Sequence, residues 1–132
     1  MYKFSNVSQA RLDQAHPHLR LIMETAIKIV DFSVLETVRD EKTHKRYIAR
    51  GVTKVPYNKT KHKPNKNGLS EAIDIAPYPI DWNDTQRFYY LAGIIKGIAR
   101  MLNIELRWGG DWDNDNDFKD QSFNDLVHFE LL

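Results

Sequence analysis

The chain has 132 residues and no cysteine, with 42% hydrophobic residues, 28% charged residues and a formal net charge of +1. That length fits one domain with its own hydrophobic core. The lack of cysteine excludes a disulfide framework, a thiol nucleophile and a thiolate-ligated metal site. A transition metal would therefore have to be bound by histidine and carboxylate side chains.

The first residues do not look like a targeting segment. Residues 1–10 lack the basic start and the apolar run of a signal peptide, and no apolar stretch approaches the length of a membrane span. We expect no membrane insertion and synthesis as a soluble cytoplasmic protein.

The small net charge hides an uneven distribution of charge. Basic residues dominate residues 39–66, and acidic residues dominate residues 103–132. A basic segment can attract a polyanion, or it can be the solvated face of a loop. For the lysines taken one by one, we favour the solvated loop.

The first half of the chain alternates helical and extended patterns. Leu12, Leu19, Ile22 and Ala26 recur at helical spacing, and Pro17 should break the helix that they indicate. The patterns predict, in order, a helix over residues 8–30, a strand over 32–38, a helix over 41–49, a loop over 53–69 and a strand over 72–76.

The second half contains the clearest helix, over residues 84–102, with Asp84 or Asn83 as its cap. Strands are predicted over 104–108 and 126–132, with an acidic loop over 109–124 between them. We therefore predict one α+β domain over residues 1–132, in which helices pack on a small, mostly antiparallel sheet.

Polar residues interrupt two of the apolar strands. Asp74 lies within Ala-Ile-Asp-Ile-Ala, and His128 lies within Leu-Val-His-Phe. A buried carboxylate is costly unless it is paired or bound to a metal, and a buried imidazole is either hydrogen-bonded or a metal ligand. With His62 in the neighbouring loop, these residues match the three nitrogen and oxygen ligands of an open catalytic zinc site.

Several segments resemble the zinc peptidase family of D-alanyl-D-alanine carboxypeptidases and L-alanyl-D-glutamate endopeptidases. Residues 60–62 (TKH) and 70–82 (SEAIDIAPYPIDW) are similar to its metal-binding segments, and the second resembles the phage endolysin branch. Residues 125–130 (DLVHFE) are similar to its closing segment, and 36–39 (ETVR) to its strand ending in arginine. Residues 108–112 (WGGDW) also resemble a segment of the phage endolysins.

The resemblance implies a hedgehog/D-Ala-D-Ala metallopeptidase-like fold and a role for each matching residue. His62, Asp74 and His128 would bind Zn²⁺. Asp125 would be the general base that takes a proton from the zinc-activated water, and Arg39 would bind substrate or stabilise the oxyanion.

Two positions depart from the family pattern. Residues 64–68 look like an insertion between His62 and Asp74, which a flexible loop could absorb. His44 stands where the family often has a glutamine; it could contact substrate, but on a lysine-rich helix we predict a surface residue. Glu130 shares a strand face with His128 and could orient that ligand, or it could face solvent.

Other signals are less specific. Trp82 and Trp112 are candidates for the lining of a substrate cleft, whereas Trp108 fits the core. The alternating aspartates from Asp111 to Asp117 resemble a calcium loop, although the EF-hand pattern fails at Asn116 and Ser122. A different Ca²⁺ site or a solvated acidic turn remains open.

The leading hypothesis is a zinc-dependent L-alanyl-D-glutamate endopeptidase that cleaves bacterial peptidoglycan as a phage-type endolysin. It would be a monomer, bind no nucleic acid, and stay in the cytoplasm of the host until it is released to the wall. A D-alanyl-D-alanine carboxypeptidase or dipeptidase on the same fold is the alternative. A non-catalytic module that binds wall polymer or nucleic acid is the second, but it leaves Asp74, Asp125 and His128 unexplained.

Overall fold

The computed structural model describes residues 1–120 and 124–132. Within these residues, the chain forms a single α+β domain, as predicted. The elements are α1 (Asn6–Leu12), α2 (Pro17–Ala26), β1 (Phe32–Glu36), α3 (Glu41–Ala49), a 3-10 turn (Tyr57–Lys59), β2 (Ala72–Pro77), α4 (Thr85–Met101), β3 (Leu106–Trp108) and β4 (His128–Leu131).

The predicted first helix is two helices. Pro17 occupies the first turn of α2, where its missing N–H costs no hydrogen bond. His16 caps this helix, because its side chain accepts a hydrogen bond from the His18 N–H. The helix ends at Ala26, four residues before the predicted end.

The four strands form one antiparallel sheet in the order β1-β2-β4-β3. Strands that are distant in sequence are therefore neighbours, since β2 lies between β1 and β4. The predicted last strand is shorter than expected and begins at His128. Val127 precedes this strand and lies in the wall of a surface cavity, whereas a strand over the whole range 126–132 would place it on the same face as Phe129 and Leu131.

The core lies between one face of this sheet and helices α2 and α4. Buried residues of α2 and α4 recur at helical spacing, and they meet alternate residues of the strands. The predicted core position of Trp108 is confirmed: the ring is 1% exposed, and its Nε1–H donates to the Leu126 carbonyl at 2.9 Å. The opposite face of β2 and β4 is left for polar side chains.

No helix among the described residues is long and apolar enough to cross a membrane.

Gly109 is the point at which the last loop packs most tightly against β3. A Cβ atom at this position would lie 2.1 Å from the Asp125 carbonyl oxygen. The Gly109 carbonyl also accepts a hydrogen bond from the Asp125 N–H at 2.9 Å, and the Gly109 N–H donates to His128 at 2.8 Å. A residue without a side chain is therefore required to hold Asp125 beside the start of β4.

We predict that Gly109→Ala lowers the free energy of unfolding by about 1–3 kcal/mol, because the added methyl group collides with backbone that cannot rotate away. Urea denaturation measures this change. Gly97→Ala is the matched control: the site is exposed on α4 with nothing within 4 Å, so alanine should raise the stability by about 0.5–1 kcal/mol. Equal effects of the two substitutions would contradict the prediction.

Candidate metal centre and active site

The sheet register brings three functional side chains to one point. Asp74 on β2 pairs with His128 on β4 and with Glu36 at the end of β1. Directly opposed residues on antiparallel strands project to the same face, so these side chains meet on the face away from the core. A slip of one residue in either pairing would turn Asp74 into the core.

His62 reaches the same point from the loop before β2. The Arg39 N–H donates to the His62 carbonyl at 2.9 Å, and the Glu71 N–H donates to the neighbouring Lys61 carbonyl at 3.0 Å. The loop that contains residues 64–68, the predicted insertion, closes on itself: the Asn65 N–H donates to the Leu69 carbonyl at 2.8 Å. This loop connects the two candidate ligands His62 and Asp74.

The three candidate ligand atoms form a small triangle. Asp74 Oδ1 is 3.0 Å from His128 Nδ1 and 3.3 Å from His62 Nε2, and the two nitrogens are 3.3 Å apart. Tetrahedral zinc with ligand bonds of about 2.0–2.1 Å needs donor atoms about 3.3 Å apart. The triangle therefore has the size that such a metal requires, and it brings together all three residues predicted to bind it.

The partners of the outer ring nitrogens decide which protons the two imidazoles carry. His62 Nδ1 lies 2.6 Å from the Thr37 carbonyl, and His128 Nε2 lies 2.8 Å from Glu130 Oε1. Both partners can only accept, so these nitrogens must carry the protons. In the neutral rings, the two inner nitrogens therefore direct lone pairs at each other and at the Asp74 carboxylate.

The electrostatics of the cluster favour a positive charge at its centre. Burial by itself would raise the pKa of Asp74, but the His62 and His128 imidazoles hold it far below its usual value. Burial would likewise lower the pKa of His128, but hydrogen bonds with Asp74 and Glu130 raise it to about 10. Without a metal, the centre therefore holds a proton tightly.

Glu130 is the partner that fixes His128. One oxygen accepts from His128 Nε2, and the other accepts from Arg107 Nη2 at 2.8 Å. These two partners overcome the effect of burial and lower the pKa of Glu130 to about 2. The expectation that Glu130 orients a ligand is in line with this geometry. Sequence reasoning missed the equivalent partner of His62, because a backbone carbonyl leaves no side-chain signal.

Asp125 lies at the turn into β4, in the wall of the same cavity as the triangle. Its carbonyl accepts from the His128 N–H at 3.2 Å, and its own N–H is bound by Gly109. Burial and the nearby charge of Asp74 raise the pKa of the Asp125 carboxyl. The side chain is thus a carboxylate with an increased affinity for protons beside the three candidate ligands.

Arg39 is held beside Asp74 by a buried network. Its guanidinium pairs with Glu36, lies 3.8 Å from Asp74 Oδ2 and stacks over the Tyr47 ring at 4.7 Å. The side chain is 7% exposed and lines the cavity, so its charge faces the candidate site with little screening by water.

The prediction that His44 is a surface residue was wrong. His44 is completely buried, and its Nε2 lies 2.6 Å from the Val55 carbonyl. That nitrogen must carry the proton, which leaves Nδ1 to accept from Arg39 Nη1 at 3.1 Å. The lysine-rich pattern was misleading, because only one face of a short helix is buried and His44 is its single buried residue.

The cavity beside these residues has a volume of about 870 Å³. His62, Asp74 and His128 all line it, so a metal bound to them would keep a coordination position open to the cavity. Both tryptophans that were predicted to line a cleft, Trp82 and Trp112, do so. The lining also includes three lysines from the basic segment: Lys54, Lys59 and Lys61.

The acidic loop forms a second group of carboxylates. Asp111, Asp113 and Asp115 each offer an oxygen within 4.8 Å of the others. Asp111 is buried and accepts backbone hydrogen bonds at both oxygens, and Lys96 Nζ lies 3.4 Å from its Oδ2. Ser122, the position at which the EF-hand pattern fails, is outside the described residues.

Comparisons with known proteins identify the family of this chain. The family model of the phage L-alanyl-D-glutamate peptidases matches residues 1–132. An L-alanyl-D-glutamate peptidase of Escherichia phage T5 is 31% identical over 141 residues, which cover 99% of this chain and 98% of that protein. The crystal structure of the Serratia marcescens L-Ala D-Glu endopeptidase ChiX has a similar fold, with a TM-score of 0.77 at 22% identity over 98% of this chain and 90% of that one. The chain belongs to the phage L-alanyl-D-glutamate peptidase family.

Proposed function

We propose that the chain is a zinc-dependent endopeptidase that hydrolyses the L-alanyl-D-glutamate bond of the peptidoglycan stem peptide. His62, Asp74 and His128 are the metal ligands in this proposal. The identity of the cleaved bond is inferred from the family to which the chain belongs. The observation that supports the metal is the convergence of two imidazole lone pairs and a carboxylate within 3.0–3.3 Å of one another.

The donor set favours zinc over the harder divalent cations. Two imidazole nitrogens and one carboxylate oxygen suit zinc, whereas calcium and magnesium prefer all-oxygen sites. Bound zinc supplies Lewis acidity toward the scissile carbonyl group and toward a water molecule. All other steps fall to the side chains around the cavity.

Asp125 is the general base in this proposal. Its raised pKa increases its affinity for the proton that the attacking water must lose. The same carboxyl can return that proton to the leaving nitrogen of the D-glutamyl residue. Because Gly109 and His128 fix its backbone, the carboxyl is placed before substrate arrives.

Arg39 stabilises the negative charge that develops on the carbonyl oxygen during attack. Its guanidinium is already oriented by Glu36 and His44, so little reorganisation is needed when that charge forms. His44 is a positioning residue in this account, since it touches Arg39 and the Val55 carbonyl.

The same proposal includes lysis of the bacterial cell wall. In it, the protein acts as a monomer, recognises no nucleic acid, and stays in the host cytoplasm until it is released to the wall. Product analysis of digested peptidoglycan tests the bond: new amino groups on D-glutamate are expected, and release of D-alanine would indicate the carboxypeptidase alternative instead.

Two residues of the DLVHFE segment, Asp125 and His128, should separate metal binding from catalysis. We expect Asp125→Ala to retain about one zinc per chain and to lose about 100-fold to 10,000-fold in activity, because only the base is removed. His128→Ala should lose both the zinc and the activity, because a ligand is removed. Metal content by mass spectrometry and a turbidity assay on cell walls measure the two properties.

Exposed residues of the same types serve as controls for this pair. Asp13 and His18 are exposed and are not among the residues that line the cavity, so Asp13→Ala and His18→Ala should keep both zinc and activity. Full activity of Asp125→Ala, or full zinc content in His128→Ala, would contradict the assigned roles.

His44 gives a test of how Arg39 is held. Glutamine can accept from Arg39 and donate to Val55, so His44→Gln should keep most of the activity. His44→Leu fills the space but leaves both partners unsatisfied, at about 1–3 kcal/mol for each buried group. We expect this variant to lose stability in urea denaturation and to lose kcat.

If His44→Gln and His44→Leu were equally impaired in kcat, hydrogen bonding to Arg39 would not be the function of this residue.

We further propose that the acidic loop binds Ca²⁺ through Asp111, Asp113 and Asp115. Desolvation and the neighbouring Asp115 carboxylate raise the pKa of Asp113 to about 6, as expected where carboxylates lie close together. Millimolar Ca²⁺ should therefore raise the melting temperature, and Asp113→Asn should reduce the shift. An unchanged melting temperature in the parent chain would contradict the proposal.

A further inference from the structure

The rim of the cavity carries an aromatic surface that the hydrolytic machinery does not use. Trp82 is 60% exposed and lines the same cavity as the metal ligands. One face of its ring stacks on Phe88, with centroids 5.7 Å apart and an interplanar angle of 23°. The indole is therefore supported from behind, and much of its remaining surface is open to solvent.

The segment that carries Trp82 is anchored. The Arg87 guanidinium donates to the Pro79 carbonyl at 2.6 Å and to the Tyr78 carbonyl at 2.9 Å. On the other side, Asp81 accepts from the Asn83 N–H at 3.0 Å. The ring is thus held out toward the cavity by a fixed backbone rather than by a loop that could fold it away.

An exposed Trp82 ring contributes less to the stability of the fold than a buried ring would. Burying an aromatic ring contributes about 1.5–3 kcal/mol, so a large apolar side chain fixed in an exposed position on a cavity wall is typical of a ligand contact. Tyr78 and Ile80, which precede Trp82 in the same segment, are also exposed, at 55% and 40%.

The chemistry of the proposed substrate indicates what lies against this ring. In peptidoglycan, the L-alanine of the stem peptide is joined by an amide to the lactyl group of N-acetylmuramic acid. The bond that is cleaved follows this alanine. It is therefore separated from the sugar ring only by one residue, which spans about 3.8 Å, and by the short lactyl group. An enzyme that cleaves this bond must accommodate the sugar close to its metal.

The cavity has room and suitable chemistry for that sugar. Its volume of about 870 Å³ lies near the upper end of the range of about 300–1,000 Å³ for ligand sites. This volume is larger than the two amino-acid residues on either side of the cleaved bond require. The basic lining from Lys54, Lys59 and Lys61 suits the carboxylates of the stem peptide. An indole face carries no charge, and it suits the C–H face of a pyranose ring.

We propose that Trp82 forms a carbohydrate subsite, on which the muramic acid ring of the substrate stacks while the adjoining peptide bond is cleaved. This inference rests on the proposed function. It predicts that the enzyme prefers peptides that still carry the sugar over the same peptides without it.

The test compares two soluble substrates. One is the N-acetylmuramyl stem peptide, and the other is the same peptide with an N-acetyl group on L-alanine, which keeps the amide but removes the sugar. Trp82→Ala should raise KM for the muramyl peptide by about tenfold, equivalent to about 1.4 kcal/mol. Its kcat/KM for the acetyl peptide should change less than twofold.

Two further variants make the comparison specific. Trp82→Phe keeps a flat apolar ring and should recover part of the lost KM, which also covers the case in which alanine impairs folding. Tyr90→Ala removes another exposed aromatic side chain, 66% exposed on α4 and outside the cavity lining, and should behave as the parent chain does.

The possible outcomes separate the subsite from the proposed function. Equal losses of Trp82→Ala on both substrates, or no loss on either, would overturn the carbohydrate subsite and leave the endopeptidase standing. Failure of the parent chain to cleave either substrate would overturn both.

Discussion

The structure depends on the meeting of two imidazole nitrogens and one carboxylate oxygen at a single point. A hydrogen-bond acceptor at the outer ring nitrogen fixes the tautomer of each imidazole. The acceptor is the Thr37 carbonyl for His62 and the Glu130 carboxylate for His128. Three electron-rich atoms held 3.0–3.3 Å apart in a largely buried place repel one another unless a cation lies between them. A proton can reduce this repulsion in part, but a tetrahedral metal ion can bind all three atoms at once.

The rest of the fold keeps these atoms in place. Antiparallel pairing of β2 with β1 and β4 sets Asp74 between Glu36 and His128, and backbone hydrogen bonds from Arg39 and Glu71 fix the segment that carries His62. The residues proposed for catalysis are attached to the same backbone. In the proposed mechanism, metal binding, proton transfer and charge stabilisation therefore share one rigid support, and the cavity in front of it is left for substrate.

The sequence was sufficient for the fold class and for the residues that meet at the centre. Helical spacing located the helices, and Asp74 and His128 were conspicuous because each interrupts an apolar strand. What could not be predicted was set by tertiary contacts. His44 has the neighbours of a surface residue in sequence, and only the packing of α3 against Arg39 and Val55 buries it. The Thr37 carbonyl that orients His62 has no side-chain signal, and the shortened last strand moves Val127 to the cavity.

The most direct test is X-ray absorption spectroscopy of the chain loaded with one equivalent of zinc. We expect a four-coordinate site with two imidazole nitrogens, one carboxylate oxygen and one further light atom, at about 2.0–2.1 Å. In the His62→Ala variant, one imidazole contribution should disappear. A parent spectrum with no imidazole scattering, or one that the His62 substitution leaves unchanged, would contradict the central claim.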